Sequence, residues 1–143
     1  VTKTVTDPFP ISDLTGRKTP SQALKVGVVT YTSDNTAANI RFAANAAGTS
    51  EVFLFTNENN NNIRFRYYLA FQATKPNRPL ETVTPAKQFP TAVQTVYSPI
   101  DYPYRTYTWN YLEGDLKIYL PDQVNPASGI YTSTVYCFVT PVH

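Results

Sequence analysis

Short segments rich in β-branched and aromatic residues, separated by turn-forming residues, constrain the fold of this 143-residue chain more than any other feature. No window of about 12 residues combines a helical apolar repeat with capping residues at its ends. The 11 tyrosines and 8 phenylalanines suit pleated surfaces, whereas the 12 prolines interrupt long elements. The pattern therefore predicts an all-β fold in a single domain spanning residues 1–143. We expect an immunoglobulin-like or jelly-roll antiparallel β-sandwich.

The first two thirds of the chain predict a series of short strands. They lie at residues 26–32, 39–43, 51–56, 63–71, 80–84 and 92–97. Residues 51–56 and 63–71 form a hairpin in this prediction, and the polar tract 57–62 is its exposed tip. Prolines recur throughout residues 75–103, so we expect only short edge strands in that region.

A second hairpin is predicted from residues 104–112 and 116–120. The turn is assigned to Glu113, Gly114 and Asp115. Glycine readily adopts positive φ, and acidic neighbours of a turn stay solvated. This turn explains the two carboxylates better than a catalytic pair does.

Aromatic residues are concentrated between positions 102 and 111. Tyr107, Trp109 and Tyr111 share one face of a strand, and we interpret them either as sandwich core or as ligand contacts. The members nearest the prolines are predicted to be exposed and to contact a sugar or a protein partner. They are Tyr102, Tyr104 and Arg105.

The closing residues, 130–141, predict one long strand. They are dense in β-branched and aromatic residues, and a cluster of Pro, Ser and Gly precedes them. One face of this strand carries Tyr131, Val135, Cys137 and Val139. Both faces are apolar toward the end, which indicates a strand that is enclosed on two sides.

The reactive residue types do not form a catalytic set. His143 is the last residue of the sequence, and Cys137 is predicted to be a small buried hydrophobe. One cysteine and one histidine cannot make a zinc site, and no loop resembles a calcium site. We therefore predict a protein that is not an enzyme and that needs no metal or other cofactor.

Charge and hydropathy argue against nucleic-acid binding and against a membrane-spanning segment. The formal net charge of +2 is too small to predict nucleic-acid binding, which requires a clustered basic surface. No apolar run approaches the roughly 18 residues that a membrane span needs, so we predict none.

Both ends of the chain resemble chaperone-usher pilus subunits of the disulfide-free type. Residues 126–135, with the sequence Pro-Ala-Ser-Gly-Ile-Tyr-Thr-Ser-Thr-Val, are similar to the opening of the final strand in that family. Residues 1–6, with the sequence Val-Thr-Lys-Thr-Val-Thr, are similar to the family's N-terminal extension, and Asp7, Pro8 and Leu14 follow.

The resemblance implies an incomplete immunoglobulin-like sandwich that lacks one strand. In the family, a periplasmic chaperone first fills the gap, and the N-terminal extension of a neighbouring subunit then replaces the chaperone. Residues 1–8 would be the donor strand, with Val1 and Val5 as plugging residues. Tyr131, Val135, Cys137 and Val139 would line the acceptor groove.

The expected function is that of a structural or adhesive subunit of a bacterial surface fibre. Such a fimbrium is extracellular, grows by donor-strand exchange with neighbouring subunits, and can bind a host glycan or protein receptor. Two alternatives remain open. A viral capsid or protrusion domain of the jelly-roll type, located in a virion, fits the Asn-rich loop, the proline-rich connections and the single cysteine. The second alternative is a free-standing carbohydrate-binding module.

Overall fold

A computed structural model describes residues 8–100, 103 and 105–142 as an almost entirely antiparallel β structure. Two single-turn 3₁₀ helices, Ile11–Asp13 and Pro20–Gln22, come before the first strand. The strands are β1 (Leu24–Ser33), β2 (Ala38–Ala43), β3 (Phe53–Asn57), β4 (Asn60–Lys75), β5 (Glu81–Thr82), β6 (Phe89–Pro90), β7 (Ala92–Ser98), β8 (Arg105–Tyr119), β9 (Tyr131–Thr132) and β10 (Tyr136–Pro141). The predicted all-β fold is confirmed.

Within the described residues the strands form two sheets. The larger sheet has seven strands in the order β1-β8-β4-β3-β9, with β5 beside β4 and β7 beside β8. The smaller sheet has three strands in the order β10-β2-β6. Neighbouring strands are antiparallel in both sheets, as expected for a β-sandwich.

Three aromatic rings join the two sheets. Phe42 and Phe89 come from the smaller sheet and Phe71 from the larger, and all three are at most 2% exposed. The Phe42 and Phe71 ring centroids are 5.3 Å apart, and those of Phe71 and Phe89 are 4.8 Å apart. Burying a large apolar side chain contributes roughly 1.5–3 kcal/mol. This cluster therefore accounts for much of the contact between the sheets.

The first predicted hairpin is confirmed, with β3 and β4 as its strands. Tyr67, Leu69 and Phe71 point into the core, whereas Arg64 on the opposite face is exposed. β4 begins at Asn60, so part of the tract assigned to the tip belongs to the strand.

The second predicted hairpin is wrong, because β8 runs from Arg105 to Tyr119 without a turn. Gly114 lies in the middle of this strand and is buried. A Cβ at this position would overlap the ring of Phe71 and lie 2.7 Å from the carbonyl oxygen of Gln72. The glycine thus permits a close approach of β4 to β8, which is the other common role of glycine in a strand.

Glu113 and Asp115 flank this glycine on the outer face of the larger sheet. The Lys75 ammonium lies 3.5 Å from the Glu113 carboxylate, and that of Lys25 lies 3.3 Å from Asp115. Both lysines belong to strands adjacent to β8. The acidic residues therefore form cross-strand ion pairs instead of flanking a turn.

The prediction of one closing strand over residues 130–141 is also wrong. β9 pairs with β3 in the larger sheet, whereas β10 pairs with β2 in the smaller one. Residues 133–135 cross between the sheets, and the Ser133 hydroxyl shares a 2.7 Å hydrogen bond with the Tyr67 hydroxyl there. The polar stretch after Thr132 thus marks a crossing point that the strand pattern conceals.

Candidate functional site

The first half of β8 extends past the end of β1. The pairing of β1 with β8 ends at Ser33 and Asn110, whereas β7 pairs with β8 along residues 105–111. We call β7 and the paired half of β8 the arm. Five apolar side chains in and next to the arm are between 41% and 91% exposed. They are Val93, Val96, Tyr97, Ile100 and Tyr107.

The aromatic residues of β8 lie on its outer face. Asn110 and Leu112 are buried on the inner face, and strand alternation directs Trp109 and Tyr111 the opposite way. Tyr107 is 46% exposed. The interpretation of these aromatic residues as sandwich core is therefore wrong, because Tyr107 is exposed and Trp109 and Tyr111 are half-buried on the outer face.

A cleft of about 680 Å³ lies where β8 passes the end of β1. The strand side of this cleft is formed by Tyr107, Thr108 and Trp109. The other side is formed by Thr32 and by Asp34 and Asn35 in the β1–β2 turn. We call this the arm cleft.

Two hydrogen bonds hold the β1–β2 turn in place. The Thr36 backbone N–H donates to the Ser33 hydroxyl oxygen at 3.2 Å. The Tyr31 hydroxyl donates to the Thr36 carbonyl oxygen at 3.0 Å, and the Tyr31 ring packs against the core. The turn is thus anchored to the sandwich, which fixes the backbone that carries Asp34 and Asn35.

Asp34 and Asn35 supply the polar groups of the arm cleft. Both side chains are exposed, and within the described part of the chain neither forms a side-chain hydrogen bond or an ion pair. A carboxylate accepts hydrogen bonds, and an amide both donates and accepts them. Together with the aromatic side, they give the cleft one apolar and one polar wall.

The residues predicted to bind a ligand lie beside this cleft or outside the described structure. Arg105 begins β8, is exposed, pairs with Ser98 and does not line the cleft. Tyr102 and Tyr104 lie outside the described residues, so their predicted role stays a prediction.

The predicted groove residues lie on two strands and on the connection between them. Val135, Cys137 and Val139 are half-buried and pack against the core, the latter two from β10. Tyr131 lies in β9, where its ring is 5.3 Å from that of Phe65. The structure therefore brings three of the four together and separates Tyr131 from them. Val1 and Val5, the predicted plugging residues, lie outside the described residues.

Burial raises the pKa of the Cys137 thiol, which disfavours the reactive thiolate. In the described ranges, no three His, Cys, Asp or Glu side chains are grouped as metal ligands would be. The same residues include no helix with the length and apolar character needed to cross a lipid bilayer.

Sequence reasoning missed Thr32, Asp34 and Asn35 as site residues. The sequence predicts a strand at residues 26–32, and residues 33–35 follow its end without a feature that indicates a binding site. Their proximity to Trp109 depends on the pairing of β1 with β8, which joins distant parts of the sequence. No local pattern reports such a contact.

Neither a protein-family model, nor a curated protein, nor a solved structure matches this chain.

Proposed function

We propose that this protein is a non-enzymatic structural subunit of an extracellular fibre, and that its subunits join by adding a strand beside β10. Residues 1–8 of one subunit are the donor strand, with Val1 and Val5 as the plugging residues. In a bacterium, a periplasmic chaperone would protect the same place before assembly.

One observation carries this proposal, namely the incomplete cover of the core beside β10. Val135, Cys137 and Val139 contact the core yet remain half-buried, and β10 is the terminal strand of a small sheet within the described residues. An added strand would extend the sheet through backbone hydrogen bonds and cover this apolar row with its own side chains.

The exposed apolar side chains of the arm also support a role in protein–protein contacts. Val93 is 65% exposed and Ile100 is 91% exposed. Clustered exposed apolar residues are typical of interaction sites, because an isolated monomer gains nothing from them. In an assembled fibre, Val93 and Ile100 would be the part of this surface that a neighbour covers.

Donor variants test the proposal directly. We expect the full chain to form a ladder of oligomers that survives dilution. Val5→Lys should abolish the ladder, because it removes one of the two apolar plugging residues and adds a second ammonium group to the face that already carries Lys3. Thr4→Lys is the matched control, since strand alternation directs residue 4 away from the groove. The ladder should persist in that variant.

Acceptor variants complete the design. Val139→Lys places a charge against the core and should also abolish the ladder, whereas Thr140→Lys lies on the exposed side and should not. A mixture of the Val5→Lys and Val139→Lys proteins should form a heterodimer, because each retains the part that the other lacks. Circular dichroism would verify that all variants are folded. A full chain that stays monomeric at every concentration, or a ladder that Val5→Lys leaves intact, would refute the proposal.

A further inference from the structure

We propose that the arm cleft is a binding site for an uncharged saccharide. The inference adds a binding activity to the proposed fibre subunit and does not depend on strand exchange. The cleft is lined by residues of β1, β8 and the β1–β2 turn, whereas the proposed acceptor strand lies in the other sheet.

The aromatic wall provides the apolar half of sugar recognition. Trp109 and Tyr107 lie two residues apart on one strand, so both present aromatic surface on the same side of the sheet. The faces of sugar rings carry C–H groups that pack on aromatic rings, while the hydroxyl groups at the rim still need polar partners. Trp and Tyr suit such a site because they are apolar bodies with a polar group at one end.

The polar wall provides the other half. Asp34 and Asn35 offer acceptors and donors that other described side chains do not already occupy, and the Thr32 hydroxyl adds a group that can both donate and accept. Alternating donors and acceptors match the hydroxyl groups of a saccharide. A few polar groups placed around an aromatic surface are typical of small-ligand sites.

The charge of the cleft favours an uncharged ligand. Asp34 is the single charged side chain among the described residues that line the cleft. A phosphate, a sulfated glycan or a nucleic acid would meet a carboxylate and no cation among the described lining residues, so these ligands are disfavoured electrostatically.

The scaffold of the cleft is fixed before a ligand arrives. The Tyr31 and Ser33 hydrogen bonds hold the turn, and the cross-strand pairing of Trp109 with Gln94 fixes the backbone of the aromatic wall. A preorganised site loses little conformational entropy on binding.

The experiment uses the full chain, and Trp109 is its only tryptophan, so fluorescence excited at wavelengths that tyrosine does not absorb reports on the arm cleft. A panel of neutral and anionic glycans on an array identifies the probe. The methyl glycoside of the best neutral hit is then titrated by fluorescence and by isothermal calorimetry. We expect saturable binding with a change in Trp109 emission.

Two variants and two matched controls assign the site. Trp109→Ala removes the stacking surface and Asp34→Asn removes the charged acceptor, and each should weaken binding at least about tenfold. Tyr97→Ala removes an aromatic ring from the opposite face of the arm, and Asp13→Asn removes an exposed carboxylate elsewhere. Both controls should bind as the unchanged protein does.

Three results would overturn the inference. The first is a folded protein that binds no neutral saccharide at millimolar concentration, and the second is binding that Trp109→Ala leaves unchanged. The third is a Trp109 emission change produced by a peptide of residues 1–8 and by no sugar, because the cleft would then accept a strand. Failure of the oligomer ladder would leave this inference standing. Sugar binding by a protein that is always monomeric would instead indicate a free-standing carbohydrate-binding module.

Discussion

Replacing Gly114 by alanine should destabilise the protein, although alanine normally fits a strand better than glycine does. The added Cβ would overlap the Phe71 ring and would lie 2.7 Å from the Gln72 carbonyl oxygen. Phe71 is fully buried, and its centroid is 5.3 Å from that of Phe42 and 4.8 Å from that of Phe89. The ring therefore cannot move without disturbing the contact between the two sheets.

The expected loss follows from two opposing effects. Overpacking of a core costs about 1–3 kcal/mol. Alanine recovers about 0.5–1 kcal/mol of the entropy that glycine loses in a strand. Both a ring and a backbone carbonyl must shift at Gly114, so the cost lies toward the upper end of its range. We expect a net loss of about 2 kcal/mol, which corresponds to a fall in Tm of roughly 4–8 °C for a domain of this size.

Urea unfolding followed by circular dichroism measures this loss, and a double-mutant cycle identifies its cause. In a Phe71→Leu background the smaller side chain leaves space, so Gly114→Ala should cost at least about 1 kcal/mol less than in the unchanged protein. A Gly114→Ala protein as stable as the unchanged one would refute the close approach of β4 to β8. Equal costs in both backgrounds would show that Phe71 is not the obstacle.

Three further predictions concern the closing segment. Gly129→Ala should cost about 1–3 kcal/mol in thermal unfolding, because Gly129 has a φ of +143° and a Cβ there would lie 2.5 Å from the Asn57 side-chain nitrogen; an unchanged Tm would contradict this. Burial raises the pKa of Tyr67 to about 12 from 10.0, so folding stability should fall as the pH rises from 10 toward 12, where the unfolded state loses this proton first. Tyr67→Phe should reduce the fall of the unfolding free energy with pH, although it also removes the hydrogen bond to Ser133. Urea unfolding at a series of pH values from 9 to 11 measures this. The same dependence of unfolding free energy on pH in both proteins would contradict the role given to Tyr67. The Cys137 thiol should react with iodoacetamide at pH 8 more slowly than glutathione does, because burial raises its pKa, and a rate equal to that of glutathione would contradict this.

The sequence predicted the parts of the fold that local alternation determines. Residues 63–67 alternate between apolar and arginine side chains, and they lie within β4, where Tyr67 is buried and Arg64 is exposed. Fold class followed from the same signal. The chain has few helix-forming stretches, and its prolines lie where the strands end or are short.

Gly114 misled the prediction because a glycine between two acidic residues has two physical explanations. As a turn residue it supplies positive φ, and as a strand residue it makes room for a neighbour. Its neighbour is Phe71, which lies far away in the sequence. Only the pairing of β4 with β8 decides between the two explanations.

The arm cleft could not be predicted from the sequence for a related reason. Trp109 was recognised as part of an aromatic cluster, but its exposure depends on which face of β8 meets the smaller sheet. The assumed turn at Gly114 separated the aromatic residues from Leu116 and Ile118. In the structure one continuous alternation gives the inner face to Leu112, Leu116 and Ile118 and the outer face to Trp109.

The two proposals support each other through multivalency. A shallow cleft with one aromatic wall holds a small saccharide weakly, since little of the ligand is buried. A fibre repeats the cleft once in every subunit, and linked sites raise the effective affinity by 10² to 10⁴ when they engage a surface together. A monomeric Val5→Lys protein would then bind a dilute glycan in solution as the polymer does, yet it would dissociate much faster from a densely coated surface. The arm cleft and β10 lie in different sheets, so assembly leaves the individual site unchanged and alters only the number of sites that act together.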